Sequence, residues 1–369
     1  MASKPEDIFP ESILYRKRKE GCHGRKLKSA PSSYTQPGFG RYTATMLGKR
    51  AFEEQLSALD ALRQSPDPAR LDPLRKALGN RNNLIVAKAA DLAREFGLAE
   101  LIPDLLKAFD RFFEHPEKND PQCWAKNAIS RALAAFELQD ADVFLRGMAH
   151  IQMEPVWGGR SDTAGTLRAT CALALVQCRT LQESALLAHL LELLADKDKS
   201  VRSEVARAIE QVGSTSSSLL LRLRAVLQND EPEVLGACFG GLLRIEGTGA
   251  IPWIARFLAA GDDAAGEAAL AIAGTRSAKG IEVLRDRLSE TPDPWFRSVL
   301  LSAIALTRQD AAMEFLLDLV RTESLDAEAA VEAILRSAPS DELTKHLQKL
   351  TSSNPRLARI FTEHSKTLS

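Results

Sequence analysis

The 369-residue chain lacks the motifs that most metal and cofactor sites require. Its six histidines form no His-Glu dipeptide and no HExxH pattern, and it contains no phosphate-binding loop of the P-loop or dinucleotide type. We therefore expect no metal ion, no cofactor and no identifiable catalytic residue. The five cysteines form no CxxC pair, which is typical of a reducing, cytoplasmic compartment. Cys171 and Cys178 lie seven apart on one predicted helix face and Cys238 falls among apolar neighbours, which predicts buried packing.

Long apolar runs are also missing. No stretch reaches the roughly 18 consecutive apolar residues that a membrane-spanning helix needs. The first 20 residues contain Glu6, Asp7, Pro10 and Glu11 where a signal peptide would have an apolar core. We therefore expect a cytoplasmic protein that does not contact a membrane.

Positive charge is concentrated at the start of the chain. Residues 1–50 contain 11 basic and 4 acidic residues, whereas the remainder contains 37 and 45. Because residues 1–47 have few periodic apolar positions, we predict a disordered basic tail there and a helical domain over residues 48–369. The tail is either a contact for nucleic acid or an acidic partner, or a solvated leader ahead of a true start near Met46. The acidic body is not expected to wrap a nucleic acid.

From residue 49 onward, apolar residues recur at helical spacing, and no alternating pattern predicts a β-strand. A small residue followed by a branched one returns every 30 to 42 residues, which is the period of a helical repeat. We therefore expect an all-α fold in which helical hairpins stack in series. The pairs are Ala132-Leu133, Ala174-Leu175, Ala208-Ile209, Gly241-Leu242, Ala271-Ile272, Ala303-Ile304 and Ala333-Ile334.

The segment from Leu191 to Gly213 resembles a HEAT repeat of the short type also called phycobilisome-lyase HEAT-like. It contains an aspartate-rich turn with Asp196 and Asp198, then Val201-Arg202, a face of small residues and a closing glycine. The resemblance covers residues 80–337. It implies a right-handed α-α superhelix, a HEAT-like solenoid, whose second helices line the concave side. Weaker copies of the motif pair Asp162 with Leu167-Arg168, Asp230 with Val234, and Asp293 with Phe296-Arg297.

Basic residues occupy equivalent positions of this register at Lys126, Arg168, Arg202 and Arg297. One interpretation is a basic track that binds an anion. The other is that each basic side chain pairs with the aspartate of its own or the next repeat, an aspartate that also caps a helix. Leu235 and Ala265 interrupt the series, which favours pairing over a continuous track.

Two insertions interrupt the repeats, at residues 115–127 and 153–163. They precede neighbouring inner helices, so we expect them to lie close together, with Gln122 and Lys126 on one helix face. Since loops added to a repeat array often carry its binding function, we predict a recognition patch there. In the alternative interpretation, the tryptophans fill a gap between unequal repeats and Asp162 only caps the next helix. The patch comprises Gln122, Trp124, Lys126, Asn127, Glu154, Trp157, Arg160, Asp162 and Arg168.

These observations favour a non-enzymatic scaffold that binds a protein or peptide along the concave face of the solenoid. The alternative is an enzyme on the same architecture. One such enzyme resembles HEAT-like alkylpurine DNA glycosylases, for which Trp124, Trp157 and Asp162 are the suggestive residues. Another resembles bilin lyases, for which the sequence offers no distinguishing residue.

Overall fold

The computed structural model of the protein describes residues 39–66, 69–227 and 229–365. Contacts divide the chain into two units, residues 1–52 and residues 53–369. The predicted tail lies outside the described residues as far as residue 38. Residues 39–47 of the predicted tail belong to a helix that begins at Phe39, earlier than the helical start predicted at residue 49.

The described chain is almost entirely helical, so the all-α prediction is confirmed. Short 3-10 segments join several helices, and one β-hairpin interrupts the series. The helices are α1 (Phe39–Ala61), α2 (Leu71–Leu78), α3 (Asn83–Glu95), α4 (Ile102–Arg111), α5 (Pro116–Asn119), α6 (Trp124–Ala135), α7 (Ala141–Met148), α8 (Gly165–Leu175), α9 (Glu183–Leu193), α10 (Lys199–Val212), α11 (Thr215–Val226), α12 (Pro232–Glu246), α13 (Ile251–Ile254), α14 (Asp263–Gly274), α15 (Ala278–Glu290), α16 (Pro294–Leu306), α17 (Asp310–Arg321), α18 (Ala327–Arg336), α19 (Asp341–Thr351) and α20 (Pro355–Ser365).

Alternate helices of the second unit contact one another in series. The contacts run from α3 to α6 and then through α8, α10, α12, α14, α16, α18 and α20. The helices between them, such as α7, α9 and α11, each pack against a member of this series. The small-plus-branched pairs all fall on the series, from α6 to α18, and the branched residue of each pair is buried. The period in the sequence therefore marks the helices that stack.

Many helices begin at a polar residue whose side chain accepts a hydrogen bond from a free backbone N–H of the first turn. Asp198 does this for α10, Asp262 for α14 and Asp293 for α16. Ser214 and Ser217 form a reciprocal capping box at the start of α11. Such caps stabilise a helix by about 1 kcal/mol each. Asp198 and Asp293 cap helices as the sequence predicts, whereas Asp230, ahead of α12, makes no capping hydrogen bond.

The basic residues at equivalent positions form a ladder, in which Arg168, Arg202 and Arg297 each pair with an aspartate ahead of the next helix of the series. The guanidinium of Arg168 on α8 reaches Asp196, ahead of α10, with Nε 2.7 Å from Oδ2 and Nη2 3.1 Å from Oδ1. Arg202 on α10 pairs in the same way with Asp230, ahead of α12. Farther along, Arg297 on α16 pairs with the aspartate that precedes α18. The structure thus supports the interpretation that these arginines pair with aspartates of the next repeat.

The prediction that the chain has no strand is wrong at one place. Strands β1 (Met153–Val156) and β2 (Gly159–Asp162) pair antiparallel, joined by the two residues Trp157 and Gly158. Gly158 has a φ of 87°, a left-handed conformation that favours glycine in tight turns. The sequence shows no alternating apolar pattern here because both strands are only four residues long and mostly exposed. β1 also includes Pro155, a residue that is rare inside strands. Since proline has no N–H, Pro155 fits only where its nitrogen faces away from β2.

Residues Pro232–Ala260 have the length and mean hydropathy of a membrane-spanning helix, but half of the apolar window is buried inside the protein. The segment is also not one continuous α-helix, because Gly247 has a φ of 63° at the end of α12. A buried core helix passes the same test.

Cys171, Cys178 and Cys238 are buried as the sequence predicts, and burial raises the pKa of Cys171 and Cys238 to about 12.

The carboxyl group of Glu267 on α14 lies at the contact between α12 and α14. A Cβ added at Gly236 of α12 would lie 2.4 Å from Oε2 of Glu267, so the glycine makes room for this side chain. Burial, together with the smaller effect of the charges of Glu233 and Asp263, raises the pKa of Glu267 to about 7. Glu233 is itself paired with Lys199, with 2.8 Å between Nζ and Oε1. Ionising Glu267 therefore opposes folding.

Glu267→Gln tests this cost. The pKa of Glu267 is about 7 in the folded chain, above the roughly 4.3 of a free glutamate, so stability falls as pH rises between these values and stays low above them. Glutamine has no such penalty. We expect the variant to be more stable than the natural chain by on the order of 1–2 kcal/mol at about pH 8, with a smaller difference at about pH 5. Urea unfolding at both pH values measures this, and an equal difference at the two would contradict it.

Candidate functional site

The two insertions predicted to lie close together are in direct contact. Backbone N–H of Gln122 donates to Oε1 of Glu154 on β1, with 2.6 Å between the heavy atoms. On the outside, Nη2 of Arg160 on β2 lies 3.1 Å from Oε1 of Glu117 on α5. The hairpin of β1 and β2 is therefore fastened to the loop that precedes α6.

A buried ion pair forms the base of this contact. Lys126 on α6 and Asp120 are fully buried, and Nζ lies 3.2 Å from Oδ2. Nζ also donates to the carbonyl of Phe112 at 3.2 Å and to Oε1 of Gln152 at 3.1 Å. Asp120 accepts further hydrogen bonds from Asn83 and from two backbone N–H groups at the start of α6. Lys126 therefore holds the loop and the hairpin together and does not face solvent.

Gln152 links the ion pair to the hairpin. Its Nε2 donates to the carbonyl of Asp120 at 2.8 Å and to Oε1 of Glu154 at 2.6 Å. Thr163 also donates to the Glu154 carboxylate, at 2.7 Å. Burial alone would raise the pKa of Glu154, but the hydrogen bonds from Gln122, Gln152 and Thr163 outweigh it and leave the pKa lowered. Glu154 is thus a charged acceptor inside the protein.

Arg168 and Asp162 form a second group of contacts, where β2 ends and α8 begins. Nη1 of Arg168 donates to Asp162 at 2.6 Å and to the carbonyl of His150 at 3.0 Å, in addition to its pairing with Asp196. The other oxygen of Asp162 accepts from backbone N–H of Gln152 and of the residue before α8. Burial alone would raise the pKa of Asp162, but these hydrogen bonds lower it overall. Both side chains are committed to holding the hairpin against α8 and α10.

The predicted patch therefore separates into a buried part and an exposed part. Trp157, at the hairpin tip, is fully exposed (103%), and Trp124, at the start of α6, is 52% exposed. Val156 of β1 and Ile151, two residues before β1, are also exposed apolar side chains. Arg160 is half-exposed. The exposed part is thus mainly aromatic and aliphatic.

Gln122 and Lys126 do not share a helix face, contrary to prediction. Gln122 lies in the 3-10 segment Pro121–Cys123, before α6 begins, with a φ of 58°. Cys123, which follows it, has a φ of 54°. The turn directs Gln122 to solvent while Lys126 points into the protein. Residues four apart share a face only within one helix, and the left-handed conformations of Gln122 and Cys123 end that geometry before α6 begins.

Asn127 is also buried, and its Oδ1 has no hydrogen-bond partner among the described residues. Asp120 and Gln152, the centre of the network, were not predicted as site residues. The sequence does offer one indication of a structural role for Asp120, because an aspartate shortly before a helix is often a capping residue. The sequence offers no such indication for Gln152, since a glutamine in a polar loop is normally solvated. In the described part of the chain, no group of three or more His, Cys, Asp or Glu residues is placed to hold a metal ion.

No protein-family model matches the chain. No curated protein is significantly similar to it. Among solved structures, the complex of CpcE and CpcF of phycocyanin lyase from Nostoc sp. PCC7120 is similar at 17% sequence identity, with 67% of this chain and 91% of that chain covered. The TM-score is 0.33. A similarity at this level carries no argument about what the chain does.

Lys126→Met tests whether the ion pair holds the hairpin. Methionine keeps the volume of the side chain but leaves Asp120 buried and unpaired, so we expect the free energy of unfolding to fall by about 3–5 kcal/mol. Hydrogen exchange at the hairpin amides should accelerate first. Lys118→Ala on exposed α5 is the matched control and should change stability by less than about 0.5 kcal/mol. Similar losses for the two variants would show that the buried pair has no special role.

Proposed function

We propose that the chain is a HEAT-like helical-repeat scaffold of the cytoplasm that binds a protein or peptide partner and has no catalytic role of its own. The recognition surface is the tip of the hairpin of β1 and β2 together with Trp124. The observation that carries the proposal is the full exposure of Trp157 on a hairpin whose base is fastened by buried charged groups.

An exposed indole ring on a rigid support is the kind of group that dominates protein interfaces. Tryptophan and arginine are enriched among residues whose truncation weakens binding most. Trp157 and Trp124 expose large rings, and the buried contacts of Glu154 and Gln152 restrain the hairpin before a partner arrives. A restrained hairpin loses less conformational entropy on binding. This supports a docking role for the hairpin over the alternative that Trp124 and Trp157 fill a gap between repeats.

The buried members of the patch support the site indirectly. Lys126, Glu154 and Arg168 contact other protein groups and are not available to a partner. The partner therefore meets the aromatic tip and Arg160.

The glycosylase-like alternative is less well supported. It needs an acid that can contact a substrate, and Asp162 is the suggested residue. Both oxygens of Asp162 already accept hydrogen bonds, one from Arg168 and the other from two backbone N–H groups. For the bilin-lyase-like alternative, the sequence offers no distinguishing residue.

Replacing both Trp157 and Arg160 by alanine tests the docking role. Trp157 is exposed, and the Arg160–Glu117 pair is a surface ion pair that contributes at most about 1 kcal/mol, so folding should be nearly unchanged. Loss of a central tryptophan, in contrast, typically weakens an interface by 2 kcal/mol or more, about 30-fold in affinity. Affinity purification with mass spectrometry on the tagged full chain should show partners that are lost from the variant. Trp295→Ala, a partly exposed tryptophan on α16, is the control and should retain them. Equal recovery of every partner by the double variant, with unchanged circular dichroism, would refute the docking role.

A further inference from the structure

A groove lies between α15 and α17, which are not part of the hairpin site. Its volume is about 780 Å³. Ile281 and Leu288 of α15 line one side, and Phe315 and Leu319 of α17 line the other. The ladder pair of Arg297 also contributes to the lining. The groove is within the size range of ligand pockets, about 300–1,000 Å³.

The charges along this groove are unbalanced. Glu282 and Asp286 of α15 and Asp310 of α17 line it, and none of the three forms an ion pair with another described residue. Arg285 is the opposing charge, and its guanidinium lies 4.3 Å from the ring centroid of Phe315. The ladder aspartates, in contrast, are each paired with an arginine. The groove therefore has an apolar lining and an excess of negative charge.

We propose that this groove binds a basic amphipathic segment of a partner protein. Apolar side chains of the segment pack on Phe315 and Leu319, and its lysine or arginine side chains pair with Glu282, Asp286 and Asp310. This is helix-in-groove recognition, in which residues three and four apart on one helix face enter a groove between two helices. The unpaired carboxylates select a basic segment and repel an acidic one or a nucleic acid. The proposal does not depend on the hairpin site.

The probe is a synthetic helix-forming peptide of leucine and lysine, about 18 residues or five turns long, with leucines on one face. Fluorescence anisotropy of the labelled peptide measures its affinity for the full chain at about 0.15 M salt. The double variant Glu282→Gln/Asp286→Asn removes two exposed carboxylates that have no described ion pair. Ala311→Trp, at an exposed position of the lining, fills the groove without removing a core side chain.

The matched control is Glu183→Gln/Glu192→Gln on α9, two exposed glutamates that give the same change in net charge. We expect both groove variants to weaken peptide binding by at least about tenfold and the control by less than about twofold. A peptide with glutamate in place of lysine should bind at least about tenfold more weakly than the lysine peptide.

Equal weakening by the control and by the carboxylate variant would mean that the peptide follows only net charge, which overturns the proposal. Unchanged binding by Ala311→Trp would place the peptide elsewhere and overturn it too. Thermal unfolding of each variant, followed by circular dichroism, identifies any change caused by misfolding. Trp157→Ala should leave peptide affinity unchanged, which separates this groove from the hairpin site.

Discussion

The spacing of the stacked helices depends on arginine–aspartate pairs that connect α8, α10 and α16 to the turn before the next helix of the series. In Arg168 and Arg202 the guanidinium is almost fully buried, and its partner lies 28 residues along the chain. A buried charge whose partner is removed costs about 3–5 kcal/mol, so each pair penalises any other spacing between the helices it joins. Burial alone would raise the pKa of Asp230, but the hydrogen bonds from Arg202 and other neighbours hold it well below its usual range. The pairs therefore set the register of the stack, while apolar burial supplies most of its stability.

The same type of interaction is reused at the insertion. Lys126 occupies the ladder position on α6, but its carboxylate partner is Asp120, just before its own helix. The extra residues between α7 and α8 form the hairpin, and Gln152 connects that hairpin to the ion pair. The basic side chain of α6 therefore positions the hairpin, whereas the basic side chains of α8, α10 and α16 connect stacked helices. The hairpin tip can be fully exposed because its base is fastened by the buried network.

The stacking helices could be predicted from the sequence, because the buried branched residues on α6 to α18 repeat with the length of one helical hairpin. The sequence leaves two interpretations of the ladder residues, a basic track or a set of ion pairs, and the contacts between each arginine and its aspartate decide for ion pairs. The hairpin could not be predicted, since four exposed residues per strand give no alternating signal. Lys126 was expected at the surface, because its burial depends on the left-handed turn at Gln122 and Cys123, which no local pattern reveals.

Pro155 has a consequence for how the hairpin can associate with other molecules. The free edge of β1 lacks one backbone donor, since the proline nitrogen that faces outward carries no hydrogen. An incoming extended chain would leave a carbonyl without a partner there, so β1 is a poor template for adding a third strand. The hairpin can expose apolar side chains and yet resist edge-to-edge aggregation along β1.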